Sequence, residues 1–212
     1  MRSNKKAVLY DYILDRLIEG RYKFGEAILV KQLSAETGAS SQPILAALTA
    51  LSVDGFVNIT PQVGCEVINP THRDIADFYK FFARTEGLLA ELAAMRWTAS
   101  QMAALKSANS MIRADLNDSG GDRYQELNRV FHRIFHEMAG SPLLDSRQNS
   151  IFAMSDFMIM QTIGFKPHVV DATKEHDEII AAIQERSATK ARKSAEKHID
   201  AVARTVIAAA KN

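Results

Sequence analysis

The sequence of 212 residues predicts a mainly α-helical protein built in two parts. In residues 1–70, three short helical segments precede two extended runs, whereas residues 71–212 show only the three- and four-residue apolar spacing of helices. A hydrophobic content of 47% is enough to form real cores. We therefore expect a small N-terminal domain that ends in a hairpin, residues 1–70, and a C-terminal all-α antiparallel helical bundle, residues 71–212.

The composition narrows the class of protein. No apolar run reaches the ~18 residues that a membrane-spanning helix needs, and the chain opens on an amphipathic helix, so we expect a cytoplasmic protein without a membrane partner. Cys65 is the single cysteine, which excludes an internal disulfide and a cysteine-based metal site. The net charge of +1 gives no overall attraction to nucleic acid.

The N-terminal elements follow one another with clear end signals. Gly20 closes the first helix, Gly38 the second and Gly55 the third, while Ser40 or Ser41 can cap the third helix at its start. The predicted elements are helices at 8–18, 31–37 and 41–54, and strands at 56–60 and 63–68. This order is that of a winged helix-turn-helix, in which the helix after the tight turn enters the major groove of DNA.

The residues at the turns make this pattern more specific. Glycines occur at positions 20, 25, 38, 55 and 64, and they are combined with Asp54-Gly55-Phe56-Val57, Pro61-Gln62 and the apolar set Leu33, Ala47, Leu48 and Leu51. Over residues 8–68 the chain resembles the DNA-binding domain of the GntR family of bacterial transcription regulators. The resemblance implies that operator DNA is a partner.

The sequence departs from this family in the helix that would read DNA. Family members usually carry arginines at the positions of Ser41, Leu45 and Thr49, and none of these residues is basic. We expect Gln42 to pair with adenine. The remaining contacts to DNA should come from hydroxyl and lysine side chains. The candidate DNA-binding residues are Lys5, Lys6, Arg21, Lys31, Ser40, Ser41, Gln42 and Thr49. A winged helix that has lost DNA binding remains an alternative.

The second part is predicted to hold six helices, at 71–97, 100–117, 122–139, 141–163, 168–186 and 188–211. In the third of these, Leu127, Phe131 and Phe135 mark a buried face. Asn128 and His132 lie along one edge of that face, and His136 is predicted to point outward.

His176 and His198 fall on the apolar faces of later helices. A buried polar group without a hydrogen bond costs roughly 2–7 kcal/mol, so these imidazoles need partners. Core histidines satisfied by protein groups are one solution, and a shared divalent metal is another.

This half resembles the helical ligand-binding domain of the FadR subfamily, in its six-helix form. The resemblance runs through Asn128…Phe131-His132, Gly140-Ser141-Pro142, Glu175-His176 and His198-Ile199. It implies a divalent metal, zinc or nickel, bound by Asn128, His132, His176 and His198. The subfamily more often has an aspartate where Asn128 stands, and a neutral amide is the weaker ligand.

The resemblance also suggests where an effector binds. Phe82 and Glu86 map to the effector pocket, and the subfamily commonly has an arginine where this chain has Phe82. A carboxylate effector would therefore rest mainly on the metal, in a pocket that is more apolar near Phe82.

The sequence as a whole indicates a ligand-responsive transcription regulator that binds operator DNA as a homodimer and senses a small organic acid at the metal site. It is not expected to be an enzyme. A metal-dependent enzyme is the alternative from another class, but it lacks a general base: Asn128 cannot serve, and Glu137 and Glu175 are predicted to point elsewhere. A DNA-silent ligand-binding protein on the same fold is the other alternative.

Overall fold

A computed structural model describes residues 5–165 and 169–210, which divide into two compact units, Met1–Thr71 and His72–Asn212. Helices make up most of each of the two units. The elements in chain order are α1 (Lys5–Ile18), β1 (Ala27–Ile28), α2 (Val30–Thr37), α3 (Ser41–Val53), β2 (Val57–Thr60), β3 (Gly64–Val67), α4 (His72–Arg96), α5 (Ala99–Ser119), α6 (Tyr124–Ala139), α7 (Pro142–Thr162), α8 (Val169–Gln184) and α9 (Ala188–Ala210).

The first unit packs α1, α2 and α3 around one apolar core. Its fully buried side chains come from all three helices and include Ile13, Leu17, Leu33, Ile44, Leu48 and Leu51. The turn between α2 and α3 is made by Gly38 in the left-handed conformation (φ 68°), where its N–H donates to the carbonyl of Ser34 at 2.9 Å. This turn sets α3 at the surface of the unit, with Ser41, Gln42, Leu45 and Thr49 exposed.

The wing is a three-stranded antiparallel sheet in the order β1-β3-β2. β2 and β3 form the predicted hairpin, with Val57 opposite Val67 and Thr60 opposite Gly64. The third strand was not predicted. β1 is only two residues long and shows no alternating pattern, and it exists because Ala27 and Ile28 pair with β3. Its position depends on tertiary pairing and not on local preference.

The second unit contains the six predicted helices, with ends that agree to within three residues where both can be compared. The predicted ends at 168 and 211 lie outside the described residues. α4 packs along α9, and the contact is close at Gly87, where an added Cβ would lie 2.7 Å from Cγ of Glu196. Among the described residues, no helix is long and apolar enough to cross a membrane.

Candidate functional site

Three histidines from three helices meet inside the second unit. His132 on α6, His176 on α8 and His198 on α9 are 2%, 0% and 3% exposed. One ring nitrogen of each lies within 4.8 Å of the other two. Two nitrogens bound to one tetrahedral zinc ion at about 2.1 Å each are about 3.4 Å apart, so shifts of less than about 1 Å at each ring would close the set around one ion.

Each of these rings is oriented by an oxygen that faces its Nδ1 atom. Nδ1 of His132 lies 3.2 Å from Glu86 Oε2, Nδ1 of His176 lies 3.3 Å from Asn109 Oδ1, and Nδ1 of His198 lies 2.7 Å from Glu175 Oε2. Because these oxygens accept hydrogen bonds, each Nδ1 carries the proton and each Nε2 keeps its lone pair. All three rings are thus prepared as metal ligands through Nε2.

The amide of Asn109 is itself held in place. Its Nδ2 atom donates to Asp177 Oδ1 at 2.8 Å and to the carbonyl of Thr173 at 3.3 Å. This leaves Oδ1 to accept from His176. Asn109 was not identified in the sequence, although it is a polar residue between Leu105 and Ile112 on the buried face of α5, which is the pattern that revealed the histidines.

Three of the four atoms that would bind a metal are buried without a protein partner among the described residues. Nε2 of His132, Nε2 of His176 and Oδ1 of Asn128 are buried and accept no hydrogen bond from the described part of the chain. Leaving such groups unpaired costs about 1–3 kcal/mol each. A divalent cation would satisfy all three at once, so the residues present match the metal that the sequence predicted.

The protonation of the site also favours a metal. Burial lowers the pKa of His132 to about 4, against an opposing effect of Glu86, and burial followed by the neighbouring His198 lowers the pKa of His176 well below its usual value. Both rings are therefore neutral near pH 7. Neutral imidazole is the form that binds a metal, so no proton has to leave these two rings first.

Glu86 links three helices behind the histidines. Its Oε1 atom accepts hydrogen bonds from His136 Nε2 at 2.8 Å and from Gln148 Nε2 at 2.7 Å, and its Oε2 atom faces His132. Burial raises the pKa of Glu86, but the effects of His136 and His132 outweigh it and leave the pKa well below the usual range. The carboxylate is therefore ionised although the side chain is fully buried.

The prediction that His136 points outward is wrong. The side chain is only 2% exposed, because α6 is packed against α4, α5 and α7 and exposes little more than the strip of Glu126, Arg133 and Glu137. Glu86, His132 and His136 also bring ligand atoms within 4.8 Å of one another. The atoms that face one another in this second set already form hydrogen bonds through Glu86, whereas Nε2 of His132 and Nε2 of His176 have no partner, so the first set is the better metal site.

The prediction that Glu175 points away from the site is also wrong. It follows Lys174 on α8, beside His176, and its carboxylate reaches across to His198 on the adjacent α9. Sequence position alone could not show this contact, since it depends on the packing of α8 against α9. Glu175 holds a ligand in place, and this leaves the enzyme alternative without a free carboxylate there.

A small cavity of about 30 Å³ adjoins the histidines. Space of this size holds one or two water molecules. Of the two residues expected at an effector pocket, Phe82 lines this cavity, whereas Glu86 lies behind His132 and is not part of its wall. The full lining is Phe82, Tyr124, Asn128, His132, Phe152, Ser155, Asp156, Ile159, Phe165, His198, Ile199 and Val202.

Asp156 is a further buried acid in this wall that the sequence did not reveal. It is 2% exposed and forms an ion pair with Arg129. Burial raises the pKa of Asp156 to about 6, although Arg129 acts in the opposite direction. Polar and apolar residues are mixed around α7, so its sequence gave no apolar face on which a polar residue would stand out.

The candidate DNA-binding residues are exposed in the first unit but do not form one cluster. Lys5, Ser40 and Gln42 line an open groove between α1 and the start of α3. Lys6 and Lys31 are exposed outside that groove, and Arg21 is paired with Glu19 at 2.7 Å. On α3, the hydroxyl of Thr49 donates to the carbonyl of Leu45 at 2.8 Å. The helix itself carries no charged residue.

A three-helix unit with a wing, followed by a helical bundle with buried histidines, defines the class of two-domain bacterial regulators. Residues 5–67 match the bacterial regulatory proteins of the gntR family. Residues 77–201 match the FCD domain, and this second match alone spans more than half of the chain. The chain therefore belongs to the GntR family and carries an FCD domain. The resemblance found in the sequence is confirmed, and proteins of this family are regulators and not enzymes.

The chain is also similar to individual proteins. It is 26% identical over 126 residues to the uncharacterized HTH-type transcriptional regulator YdhC of Bacillus subtilis (strain 168), a match that spans 59% of this chain and 56% of that protein. Among solved structures, E. coli McbR/YncC aligns with a TM-score of 0.79 at 16% identity over 95% of each chain.

A GntR regulator from Rhodococcus sp. RHA1, itself described as putative, aligns with a TM-score of 0.77 at 15% identity, over 98% of this chain and 99% of that one. At these identities the solved structures establish the fold. The predicted fold class, a winged helix-turn-helix plus a helical bundle, is confirmed.

Proposed function

We propose that this protein is a ligand-responsive transcription regulator whose first unit binds operator DNA and whose second unit holds a divalent metal. The observation that carries the proposal is the set of three imidazoles with oriented Nδ1 atoms, two of which, His132 and His176, have buried Nε2 atoms without a partner, in a chain whose other unit is a winged helix.

His132, His176 and His198 would bind the metal, zinc or nickel, and Asn128 would be the weakest ligand. Imidazole is a ligand that suits both ions. The bound metal would supply a Lewis-acidic anchor for an oxygen of the effector. The neutral amide of Asn128 contributes less than a carboxylate would.

The effector would be a small organic acid that binds beside the metal. The cavity there, about 30 Å³, is too small for such a molecule. The rings of Phe82 and Phe152, which meet edge to face at 5.9 Å, would have to separate to admit it. An effector that prefers this opened state would shift the population of the protein toward it, by no more than the difference in its affinity for the two states.

Elemental analysis of the purified protein tests the metal. We expect about one zinc or nickel ion per chain in the wild type and its loss in His176→Ala. His72→Ala, which changes an exposed histidine outside the cluster, should retain the ion. Asn128→Asp should tighten metal binding in competition with a chelator, since it adds an anionic oxygen. Metal that survives His176→Ala would contradict the assignment.

DNA binding should depend only weakly on salt. Each phosphate neutralised by a lysine or arginine contributes about −0.9 to the slope of log affinity against log salt, and α3 offers no such cation. Ser41→Arg should tighten binding to many sequences and steepen the slope. If neither protein prefers any DNA sequence at any salt concentration, the chain is a DNA-silent ligand-binding protein.

The regulator would act as a homodimer, and an exposed stripe on α4 supports this. Phe81, Leu88 and Met95 recur every seven residues and are 56%, 41% and 50% exposed. Half-buried residues stand between them at three- and four-residue spacing, namely Phe78, Thr85 and Leu92. This is the pattern of a helix that packs against another helix.

The stripe is complementary to itself. When two copies of α4 are set antiparallel about residues 86 and 87, Phe78 lies opposite Met95, Phe81 opposite Leu92 and Thr85 opposite Leu88. An aliphatic side chain thus lies opposite an aromatic ring in two of these pairs and opposite Thr85 in the third, and Asp77 comes opposite Arg96. A second copy of this chain is therefore the partner that the stripe suits best.

A further inference from the structure

The exposed side of α3 is uncharged and has an apolar centre. Leu45 is 49% exposed, although its neighbours Ile44 and Leu48 are fully buried and fill the core without it. Gln42 precedes Leu45 by three residues and Thr49 follows it by four, so the three side chains share one face of the helix. This is the face that a helix-turn-helix presents to the major groove.

The chemistry of this face limits what it can recognise. The hydroxyl hydrogen of Thr49 is committed to the carbonyl of Leu45, so Ser41 and Gln42 are the side chains here that can both donate to and accept from a base edge. Leu45 can neither donate nor accept. The apolar feature of the major groove is the C5-methyl group of a pyrimidine, carried by thymine and by methylated cytosine.

We propose that Leu45 is a specificity-determining residue that contacts the C5-methyl group of a pyrimidine, next to the base pair that Gln42 contacts. This inference rests on the proposed DNA-binding function. Gln42 pairs best with adenine, and a leucine one turn further along contacts thymine, so the half-site should be rich in A·T pairs. Where the methyl group belongs to 5-methylcytosine, the same contact would make the affinity for the site depend on DNA methylation.

The expected effect follows from the methyl group alone. Burying one methyl or methylene group contributes about 0.8 kcal/mol, which corresponds to about a fourfold change in affinity per half-site. Deoxyuridine lacks the methyl group of thymidine but keeps the same hydrogen-bonding edge. Exchange of the two nucleotides therefore isolates this contact from every hydrogen bond.

The experiment uses the full-length protein and duplexes enriched by it from a randomised pool. In the enriched duplex, each thymidine is replaced singly by deoxyuridine, and in a second series each deoxycytidine by its 5-methyl derivative. We expect deoxyuridine to weaken binding about fourfold at one position per half-site. A gain with 5-methylcytosine at that position instead would identify methylated cytosine as the source of the methyl group.

Variants connect the effect to Leu45. Leu45→Ala should bind the thymidine and deoxyuridine duplexes equally, Leu45→Met should retain the difference, and Gln42→Ala should bind more weakly but also retain it. Circular dichroism should show all three folded, because both positions are exposed. If binding is sequence-specific but its affinity changes neither with deoxyuridine nor with 5-methylcytosine, this inference is overturned and the proposed DNA binding still stands. Absence of any enriched sequence would overturn it together with the proposed DNA binding.

Discussion

At Glu86, one buried carboxylate accepts hydrogen bonds from two histidines and a glutamine. Such a group is stable in the interior only while its partners remain, because a buried charge that loses a partner is poorly compensated. His136 matters for this reason, although its own nitrogen is not in the proposed metal set.

His136→Ala should destabilise the protein by about 3–5 kcal/mol, the usual cost of breaking a buried pair from one side. Urea unfolding of the metal-free protein measures this. Arg133→Ala, on the exposed side of the same helix, is the control and should change the free energy of unfolding by less than about 0.5 kcal/mol. If His136→Ala changes the free energy of unfolding as little as the control does, the buried charge of Glu86 does not need His136 as a partner.

The buried histidines also predict how stability depends on pH. In the folded, metal-free protein the pKa of His132 is about 4 and that of His176 lies well below its usual value, whereas both are near 6.5 in the unfolded chain. The unfolded state therefore binds more protons below pH 6.5, and stability falls as the pH falls toward 4.

Between pH 7.5 and 5.5 each of these histidines should remove about 1.4 kcal/mol in total, so the two together should lower the free energy of unfolding by about 2–3 kcal/mol. Urea titrations at both pH values check this. His176→Leu should halve the drop, and His72→Ala should leave it unchanged. A drop that is the same in His176→Leu as in the wild type would show that other groups cause it.

At the scale of elements, the contact between α4 and α9 depends on a residue without a side chain. An added Cβ at Gly87 would lie 2.7 Å from Cγ of Glu196 and 3.0 Å from Cγ of Arg192. These atoms are near the helix backbone of α9 and not at the flexible ends of their side chains. The two helices would have to move apart to admit a methyl group.

Gly87→Ala should therefore destabilise the protein by up to about 2 kcal/mol, since overpacking costs about 1–3 kcal/mol and the better helix propensity of alanine returns at most about 1 kcal/mol. Thermal or urea unfolding measures the change. Ser110→Ala, at an exposed position of α5, should be neutral or slightly stabilising. A variant at Gly87 that is more stable than the wild type would contradict the close contact.

The helices of this chain were predictable because their apolar spacing, glycines and capping residues are local signals. The same spacing revealed His132, His176 and His198, since a polar residue on an apolar face stands out. Periodicity gave no such signal on α7, where polar and apolar residues are mixed around the helix, so Gln148 and Asp156 were missed. The pairing of Glu175 with His198 and the strand β1 both depend on contacts between separate elements, which a single sequence does not show.

At the scale of the whole molecule, the exposed stripe of α4 predicts the state of assembly. Leu88→Glu places a charge at the centre of the stripe, where the proposed antiparallel register brings two copies together. We expect the wild type to sediment as a dimer at micromolar concentration and Leu88→Glu as a monomer, because a desolvated, unpaired charge at an interface is costly.

Ser107→Glu is the matched control for this test. It adds the same charge to an exposed position of α5, away from the stripe, and should remain a dimer. Circular dichroism should show both variants folded, because Leu88 is 41% exposed. A dimer that persists in Leu88→Glu would place the interface elsewhere on the second unit.

Each imidazole of the proposed metal site is oriented from a helix other than its own: His132 from α4, His176 from α5 and His198 from α8. A bound ion would therefore connect five helices and would dissociate when any of them unfolds. The melting temperature should then rise with the concentration of free metal. At a metal concentration 1,000 times the dissociation constant, binding adds about 4.1 kcal/mol. For a chain of this size that amounts to a rise of roughly 10 °C, and the ion that produces it at the lowest concentration is the one that the site selects.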